Sequence, residues 1–343
     1  MMLPRRAVDG ACRHIAEEVD VDGRVEQWLG ERTSDGRSWD RYELARRKAG
    51  LRVDVVLPAR NEADTVGAIV AAIRRELVEQ VPLVDEVVVV DSGSVDGTAA
   101  EATAAGARVV TQSAVLPSFG DVPGKGEALW KALYATRGDV LVFVDADLRE
   151  FDPQFVVGLL GPLLTDPTVS FVKAVYDRPL GMTDRVLPAG GGRVTELVAR
   201  PLLNVHWPLL AGFVQPLAGE YAARRDLLER VPFASGYGVE VGMLIDVLEL
   251  AGLSAMAQVD LGRRVHRNQD DAALGRMAAQ VLLTVLARLE TRDRAVFTGA
   301  PASTLTQFQR IGDTYEAQVS DVSVRDRPPM GQVAEYLRRP VAL

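Results

Sequence analysis

The chain has 343 residues, 48% of them hydrophobic, and a net charge of −8. This length is enough for one large domain or two smaller ones with a substantial core. The acidic balance argues against a nucleic-acid partner, because proteins that bind nucleic acid normally present a basic surface. Cys12 is the one cysteine, so no disulfide can form within the chain, which fits a reducing cytoplasm.

Residues 201–219 carry no formal charge and need a test for a membrane span. Prolines and polar side chains interrupt the stretch at Pro201, Asn204, His206, Pro208, Gln215 and Pro216. A membrane-spanning helix of about 20 residues rarely tolerates so many prolines and polar side chains. No apolar signal segment follows the basic residues 1–6. We therefore predict a soluble, cytoplasmic protein that needs no membrane.

Predicted elements in the first half alternate between strands and helices. Residues 1–50 are polar, with weak helical periodicity at 13–29 and 39–48, and are predicted to form a helical extension. Strands are then predicted at 53–57, 87–90, 107–111 and 140–144, and helices at 61–77, 97–105 and 127–136. Strands that alternate with helices imply βαβ crossovers, so we predict an α/β fold with a mostly parallel sheet.

The second half is less regular. Strands are predicted at 169–176, 219–223 and 257–264, and helices at 193–203, 225–230, 239–251 and 272–290. Residues 181–192 are predicted to form a loop that ends in three glycines, and residues 291–343 to form a C-terminal tail.

The most informative motif is an apolar run, 141–144, that stops on Asp145-Ala146-Asp147. In extended chain the side chains of Asp145 and Asp147 point to the same side. Ligands of open α/β sheets bind where the strands end. Hard carboxylate oxygens there suit Mg²⁺ or Mn²⁺, and such a metal usually partners a substrate's phosphates. The alternative is that both acids only cap a turn and the next helix.

Two other predicted strands also end in polar turns. The first ends in Pro58-Ala59-Arg60-Asn61-Glu62, whose backbone could hold a nucleobase edge or ribose, with Glu62 as an acceptor. The second ends in Asp91-Ser92, and the Asp91 carboxylate could accept from a nucleobase N–H. In both turns the same residues could instead act as ordinary turn and helix caps.

Lys125 lies between two glycines in Pro123-Gly124-Lys125-Gly126-Glu127-Ala128. The glycines would allow the backbone to approach a ligand closely, and the ammonium could meet a phosphate or a base carbonyl. The spacing is not that of a Walker P-loop, and no G-x-G-x-x-G fingerprint is present.

In this order, the four motifs resemble the nucleotide-sugar half of a GT-A glycosyltransferase over residues 53–150, and Asp145-Ala146-Asp147 resembles the DxD metal motif of that fold. The resemblance implies a Rossmann-like, mostly parallel central sheet with flanking helices and an acceptor-binding second half. Four regions follow from it: an N-terminal helical extension (1–50), the nucleotide-sugar half (51–150), the acceptor half (151–290) and the tail (291–343).

Two further motifs lie in the second half. Glycines precede a predicted helix in Gly190-Gly191-Gly192-Arg193-Val194-Thr195. A helix N-terminus attracts anions, and an arginine can grip a phosphate or carboxylate with two hydrogen bonds. The alternative is a flexible glycine hinge with a surface arginine. Farther on, His266 follows a strand in Val265-His266-Arg267-Asn268 and could either ligate a metal or be structural.

With Gly219-Glu220-Tyr221-Ala222 and Pro232–Glu240, these stretches resemble the glucosyl-3-phosphoglycerate synthases over residues 50–290. The related mannosyl-3-phosphoglycerate synthases fit equally well. The resemblance implies nucleotide-sugar contacts at Pro58, Ala59, Arg60, Asn61, Glu62, Asp91, Ser92, Lys125, Asp145 and Ala146. It implies metal ligation by Asp147 and His266, and acceptor binding by Gly191, Gly192, Arg193, Thr195 and Asn268. The candidate catalytic residues are Asp145, Asp147 and Glu240.

The implied reaction transfers a hexose from a nucleoside diphosphate sugar to the 2-hydroxyl of 3-phosphoglycerate, a step towards glucosylglycerate or mannosylglycerate. The implied stereochemistry is retention, by attack on the face that the diphosphate leaves, with Glu240 as an alternative nucleophile. The cofactor would be Mg²⁺ or Mn²⁺, and the assembly a homodimer. The segment 177–192 is shorter than expected for a glucosyl enzyme, so UDP-glucose and GDP-mannose both remain open as donors.

Three other functions are compatible with parts of the pattern. A polyprenyl-phosphate glycosyltransferase would share the donor motifs but should carry an apolar anchor or a basic amphipathic helix, which the sequence lacks. A non-catalytic nucleotide-sugar-binding protein would not need both acids with Lys125, Arg193 and His266. A sugar-phosphate nucleotidyltransferase would need a glycine-rich N-terminal loop that Pro-Ala-Arg-Asn-Glu does not supply.

Overall fold

The computed structural model describes residues 21–177, 180–182, 185–187, 192–263 and 270–339. Its strands are β1 (Thr33–Asp35), β2 (Val53–Ala59), β3 (Glu86–Asp91), β4 (Arg108–Thr111), β5 (Val140–Phe143), β6 (Phe171–Asp177), β7 (Leu180–Met182), β8 (Arg185–Leu187), β9 (Tyr221–Arg224), β10 (Phe233–Ala234), β11 (Met256–Arg263), β12 (Thr304–Ile311), β13 (Thr314–Asp321) and β14 (Asp326–Arg327).

The helices are α1 (Gly23–Arg32), α2 (Arg41–Arg47), α3 (Val66–Ile73), α4 (Thr98–Ala104), α5 (Lys125–Ala135), α6 (Gln154–Thr165), α7 (Arg200–His206), α8 (Arg225–Leu228), α9 (Val239–Ala251), α10 (Asp271–Glu290) and α11 (Ala334–Leu337). A π-helical segment, Arg74–Gln80, continues α3, and another, Thr195–Ala199, leads into α7.

Within these residues, eight strands form the central sheet in the order β1-β11-β6-β9-β5-β2-β3-β4. The strands β2, β3 and β5 are almost wholly apolar and buried, as expected for central strands covered on both faces. Alternate residues of β2 enter different cores: Val56 packs in the core on one face and Val55 in the core on the other. The predicted mostly parallel α/β sheet is confirmed.

The exception to parallel pairing is β9, which runs antiparallel to both β5 and β6. Tyr221, at the start of β9, pairs with Phe143, at the end of β5. Because of this reversal, the residues that precede β9 meet the residues that follow β5, and Gly219 lies against Asp145.

The N-terminal region differs from the prediction of helix alone. Both α1 and α2 are present, but β1 lies between them and joins the central sheet beside β11. The Trp28 indole N–H donates to the Met256 carbonyl oxygen at 2.8 Å, which ties α1 to the same edge. A strand of three residues is too short to show a period in the sequence, and the predicted helical residues 13–20 lie outside the described residues.

Three other local predictions need correction. The helix α6 was not predicted, because it is apolar on all sides and contains Pro162; such a helix belongs in a core. The helix predicted from residue 61 begins at Val66, after a turn in which Asn61 takes the left-handed conformation (φ 59°). The predicted loop at 181–192 contains part of the β7–β8 hairpin.

The C-terminal region is structured rather than an irregular tail. The strands β12 and β13 form a hairpin, and β14 pairs antiparallel with β10. The Arg327 guanidinium donates to the fully buried carboxylate of Glu127 at 2.5 and 2.8 Å, so the segment after the hairpin is anchored to α5.

Among the described residues, α10 is the one helix whose length and composition would suffice to cross a membrane. It packs against α9, and near its C-terminal end Arg288 forms a buried ion pair with Asp246 at 2.9 Å. These contacts account for α10 as a helix of the folded body.

Candidate active site

A cleft of about 670 Å³ opens where β2 and β5 end. Its lining comes from both halves of the sequence: Pro58, Ala59, Arg60, Glu62, Ser92, Pro123, Gly124, Lys125, Asp145, Ala146, Asp147, Gly192, Arg193, Val194, Thr195, Leu217, Gly219, Gly236, Tyr237, Glu240, Leu274, Arg276, Met277, Gln280 and Asp321. Parallel strands end at the same edge of a sheet, which is where open α/β proteins bind ligands.

An ion-paired trio occupies the floor of the cleft. The Lys125 ammonium lies 2.5 Å from Asp145 Oδ1 and 3.0 Å from Glu240 Oε1. Lys125 begins α5, Asp145 follows β5, and Glu240 lies in the first turn of α9, where the helix dipole favours a negative charge. Burial disfavours the charge on Lys125, but Asp145 and Glu240 outweigh it and hold the pKa of the ammonium well above its ordinary value.

Gly219 packs directly against this trio. A Cβ built on Gly219 would lie 2.1 Å from Asp145 Oδ2 and 2.5 Å from Lys125 Nζ. No side chain fits there without moving the ion pair. The glycine therefore fixes how closely β9 can approach the end of β5.

The glycines on either side of Lys125 allow two backbone segments to pass very close to each other. A Cβ on Gly124 (φ +121°) would lie 2.6 Å from Gly236 Cα, and one on Gly126 would lie 1.9 Å from the Ala234 carbonyl oxygen. The sequence hypothesis assigned these glycines to close contact with a ligand. In the structure, protein backbone occupies the space that their side chains would need. The crossing brings the start of α5 to the segment before α9 and so joins Lys125 to Glu240.

Asp147 lines the cleft two residues beyond Asp145. The turn between them is held by Thr65, whose hydroxyl donates to the Ala146 carbonyl oxygen at 2.6 Å. Hard carboxylate oxygens beside a cleft fit Mg²⁺ or Mn²⁺. In the described part of the chain no three His, Cys, Asp or Glu residues converge as a metal cluster, and the second predicted ligand, His266, lies outside that part.

The predicted nucleotide-binding residues divide into two groups. Pro58, Ala59, Arg60, Glu62, Ser92, Lys125, Asp145 and Ala146 line the cleft. Asn61 and Asp91 do not line it, and their side chains hold the turns together. Asn61 Oδ1 accepts from the Val95 amide at 2.9 Å, and Asp91 Oδ1 accepts from the Ser94 hydroxyl at 2.5 Å. These contacts agree with the capping alternative, and direct nucleotide contacts from both residues stay a prediction.

The predicted acceptor residues Gly192, Arg193 and Thr195 meet at one wall of the cleft. Gly192 adopts a positive φ of 92°, and Arg193 Nη1 lies 2.5 Å from Asp271 Oδ1 at the start of α10. Both partners are exposed, so this ion pair contributes little stability and can give way to a substrate anion. Gly191 and Asn268 lie outside the described residues.

One wall of the cleft was missed by sequence reasoning. It comes from α10 and the C-terminal hairpin: Leu274, Arg276, Met277, Gln280 and Asp321. Gln280 Oε1 accepts from the Tyr237 amide at 2.9 Å, which links α10 to the loop before Glu240. The helix was predicted from the regular spacing of its apolar residues. That spacing does not show which face of the helix borders a binding site. The spacing of Leu274, Met277 and Gln280 by three is the one available signal.

A second lysine is buried behind the trio. The Lys173 side chain is 1% exposed, and its Nζ lies 5.0 Å from the centroid of the Tyr221 ring and finds no hydrogen-bond partner among the residues that the structure describes. Burial lowers the pKa of Lys173 to about 7, although Glu240 acts in the opposite direction. Burial also raises the pKa of the neighbouring Tyr221 hydroxyl.

Residues 54–193 match the model of the family described as Glycosyl transferase family 2, which agrees with a cleft that has an acid pair at its sheet edge. The class is therefore that of GT-A glycosyltransferases, and the predicted fold is confirmed. Glucosyl-3-phosphoglycerate synthase of Mycolicibacterium smegmatis is 50% identical over 304 residues, 89% of this chain and 97% of the relative. The chain belongs to the glucosyl-3-phosphoglycerate synthase family.

Two solved structures agree with this family assignment. Mannosyl-3-phosphoglycerate synthase from Rubrobacter xylanophilus matches with a TM-score of 0.83 and 43% identity, over 91% of this chain and 99% of that one. Glucosyl-3-phosphoglycerate synthase from Mycobacterium tuberculosis, in complex with Mn²⁺, UDP-glucose and phosphoglyceric acid, matches with a TM-score of 0.74 and 46% identity, over 85% and 94%. The predictions of an enzyme of this family and of a divalent metal cofactor are thus confirmed.

Proposed function

We propose that the chain transfers glucose from UDP-glucose to the 2-hydroxyl of 3-phosphoglycerate. The observation that carries the proposal is that one cleft joins the acids after β5 to Arg193. The first group suits a metal-bound diphosphate, and the second suits a small anionic alcohol. The Mycobacterium tuberculosis relative was solved with this donor and phosphoglyceric acid, which supports the same pair of substrates here.

Transfer from GDP-mannose is the second candidate. Its support is the likeness to the mannosyl-3-phosphoglycerate synthase from Rubrobacter xylanophilus, which covers 99% of that chain at 43% identity. Glucose remains the first choice because the curated relatives that are 43–50% identical to this chain over most of its length are named as glucosyl enzymes.

Asp147, with His266, would hold the divalent cation, which when bound neutralises the departing diphosphate. Asp145 borders the donor sugar, and Lys125 keeps Asp145 and Glu240 in fixed positions through its two ion pairs. Arg193, with the Gly192 backbone and the Thr195 hydroxyl, fixes the acceptor. Holding both substrates in reactive geometry supplies a large part of the rate enhancement.

Retention at the anomeric carbon is part of the proposal. The acceptor oxygen forms its bond to the anomeric carbon on the face that the diphosphate leaves. The acceptor hydroxyl proton passes to a diphosphate oxygen as the carbon–oxygen bond to the diphosphate breaks. Glu240 is the alternative nucleophile, but its carboxylate lies 3.0 Å from the Lys125 ammonium, and this ion pair reduces its nucleophilicity.

A product assay tests the function. The protein is incubated with Mn²⁺, 3-phosphoglycerate and, in separate reactions, UDP-glucose and GDP-mannose, and products are identified by mass and by anomeric NMR. We expect glucosyl-3-phosphoglycerate with the α-configuration of the donor. Transfer only from GDP-mannose would show that the transferred sugar is mannose and not glucose. Nucleotide binding without transfer from either donor, or transfer only to a polyprenyl phosphate, would reject the function.

We also propose that the chain acts in the cytoplasm as a homodimer. The hairpin packs one face on α10, where Gln307 lies close to Gly275. Its other face presents Phe308, Tyr315 and Val319, which are 71%, 70% and 66% exposed. An apolar face of this kind fits a second copy of the chain. Sedimentation should show a dimer that Phe308→Asp converts to monomer; a wild-type monomer would reject this assembly.

A further inference from the structure

We infer that Arg276, on α10, binds one of the two anionic groups of the acceptor and so helps to select a phosphorylated hydroxy acid. The inference rests on the proposed function and adds to it a residue that sequence motifs do not mark. Arg276 lines the same cleft as Lys125 and Arg193.

Along α10, Arg276 lies between Asp271, which meets Arg193, and Gln280, which meets the segment before Glu240. Arg276 precedes Gln280 by four residues and therefore lies one turn away on the same face of the helix. Gln280 meets the Tyr237 amide, near Glu240. Side chains lean towards the N-terminus of their helix, and at that end of α10 Asp271 meets Arg193.

The charges in the cleft leave Arg276 available for a ligand. Lys125 is bound by Asp145 and Glu240, and Arg193 is bound by Asp271. Arg276 makes no hydrogen bond or ion pair with any residue in the described part of the chain. The first turn of α10 does not supply the positive charge instead, because Asp270 caps its amides and Asp271 adds a carboxylate.

The acceptor needs such a second cation. A phosphate monoester carries about −1.5 to −2 charges at neutral pH, and a carboxylate adds one more. Arg193 alone, already next to Asp271, offsets only part of that charge. A guanidinium can bind either a phosphate or a carboxylate with two parallel hydrogen bonds, which also fixes the orientation of the group.

Steady-state kinetics of Arg276→Ala tests the inference. The matched control is Arg47→Ala, which removes an exposed arginine of α2 that is absent from the cleft. We expect Arg276→Ala to raise the KM for 3-phosphoglycerate about 10-fold or more, because a hydrogen bond to a charged group contributes about 1.5–3 kcal/mol. The KM for the donor should stay within about two-fold, and Arg276→Lys should recover part of the loss.

Truncated acceptors identify the group that Arg276 binds. Glycerate lacks the phosphate, and glycerol 3-phosphate lacks the carboxylate. With one of them, kcat/KM of Arg276→Ala should equal that of the wild type, because the partner of the guanidinium is already gone. The remaining truncated acceptor should show the full loss.

Three results would overturn the inference: an unchanged KM for 3-phosphoglycerate, an equal loss with both truncated acceptors, or a rise in the KM for the donor alone. Absence of transfer by the wild type and by Arg47→Ala would instead reject the proposed function itself. The two failures are therefore distinguishable in the same set of assays.

Discussion

The two walls of the cleft are built in different ways. On the proposed donor side, each contributing segment ends or follows a strand or opens a helix of the first 150 residues, and the motifs occur in the same order as the elements. The acceptor side takes residues from 192–195, 217–219, 236–240, 274–280 and 321. A βαβ unit positions its ligand residues locally, whereas the acceptor side exists only after helices distant in sequence have packed together.

Removing the Asp147 carboxylate, which we propose holds the metal, should have the largest effect, because it should affect both substrates at once. Asp147→Asn keeps the size of the side chain but removes its charge, so the departing diphosphate loses its stabilisation. We expect kcat to fall by about 10²–10³-fold or more, as for other losses of electrostatic stabilisation at a reacting centre. The fall in kcat is measured from turnover at several Mn²⁺ concentrations. A wild-type kcat in the variant would reject Asp147 as a metal ligand.

Gly219→Ala should produce the next largest effect, because it disturbs the contact between the two sides. The added methyl group would overlap Asp145 Oδ2 and displace it from Lys125. A displacement of about 1 Å can reduce the rate about 10²-fold. We expect kcat to fall by about 10–100-fold while the circular dichroism spectrum is unchanged.

Gly299→Ala is the matched control for Gly219→Ala, since a Cβ at Gly299 would have open space around it. It should retain full activity. Equal activity in both variants would show that the close approach of Gly219 to Asp145 has no catalytic consequence.

Lys173 provides a smaller and pH-dependent effect on stability. The folded protein releases the Lys173 proton near pH 7, whereas the unfolded chain holds it up to its ordinary value of 10.5. The cost of burying this cation is therefore complete below pH 7 and is relieved as the pH rises towards 10. Lys173→Met should be more stable than the wild type at pH 6, and this advantage should shrink by about 3 kcal/mol at pH 9.

Urea denaturation at both pH values measures the effect of Lys173→Met. Lys131→Met is the control, because Lys131 is equally buried but lies 2.8 Å from Asp121 and 3.2 Å from Glu127. Its removal leaves Asp121 without its ion-pair partner and Glu127 with Arg327 alone, and should destabilise the protein at both pH values. A stability difference between Lys173→Met and the wild type that does not depend on pH would contradict the assigned titration.

Most residues that the sequence predicted for nucleotide binding line the cleft, because each of their signals is local. The apolar run before Asp145, the glycine before Lys125 and the turn after β2 can all be recognised within a few residues. The pairing of β9 with β5 depends on tertiary contacts, so its direction and the role of Gly219 could not be predicted. The same holds for Arg276, whose helix was predicted but whose place in the cleft depends on packing against segments distant in sequence.

The smallest expected effect concerns Asn61. It tests whether this side chain only holds the turn after β2 or also contacts the nucleotide. Asn61 adopts φ 59° and accepts from the Val95 amide. Asn61→Ala loses that hydrogen bond and places a less tolerant residue in the left-handed region, so we expect a loss of about 1–2 kcal/mol in the free energy of unfolding. Asn61→Gly loses the hydrogen bond but not the backbone fit, and should be less destabilised. If Asn61 serves only the turn, donor KM of Asn61→Gly should stay within about two-fold of the wild type, because a small loss of stability leaves nearly all of the protein folded. A large rise in donor KM in Asn61→Gly, at near-wild-type stability, would show that the side chain contacts the nucleotide directly.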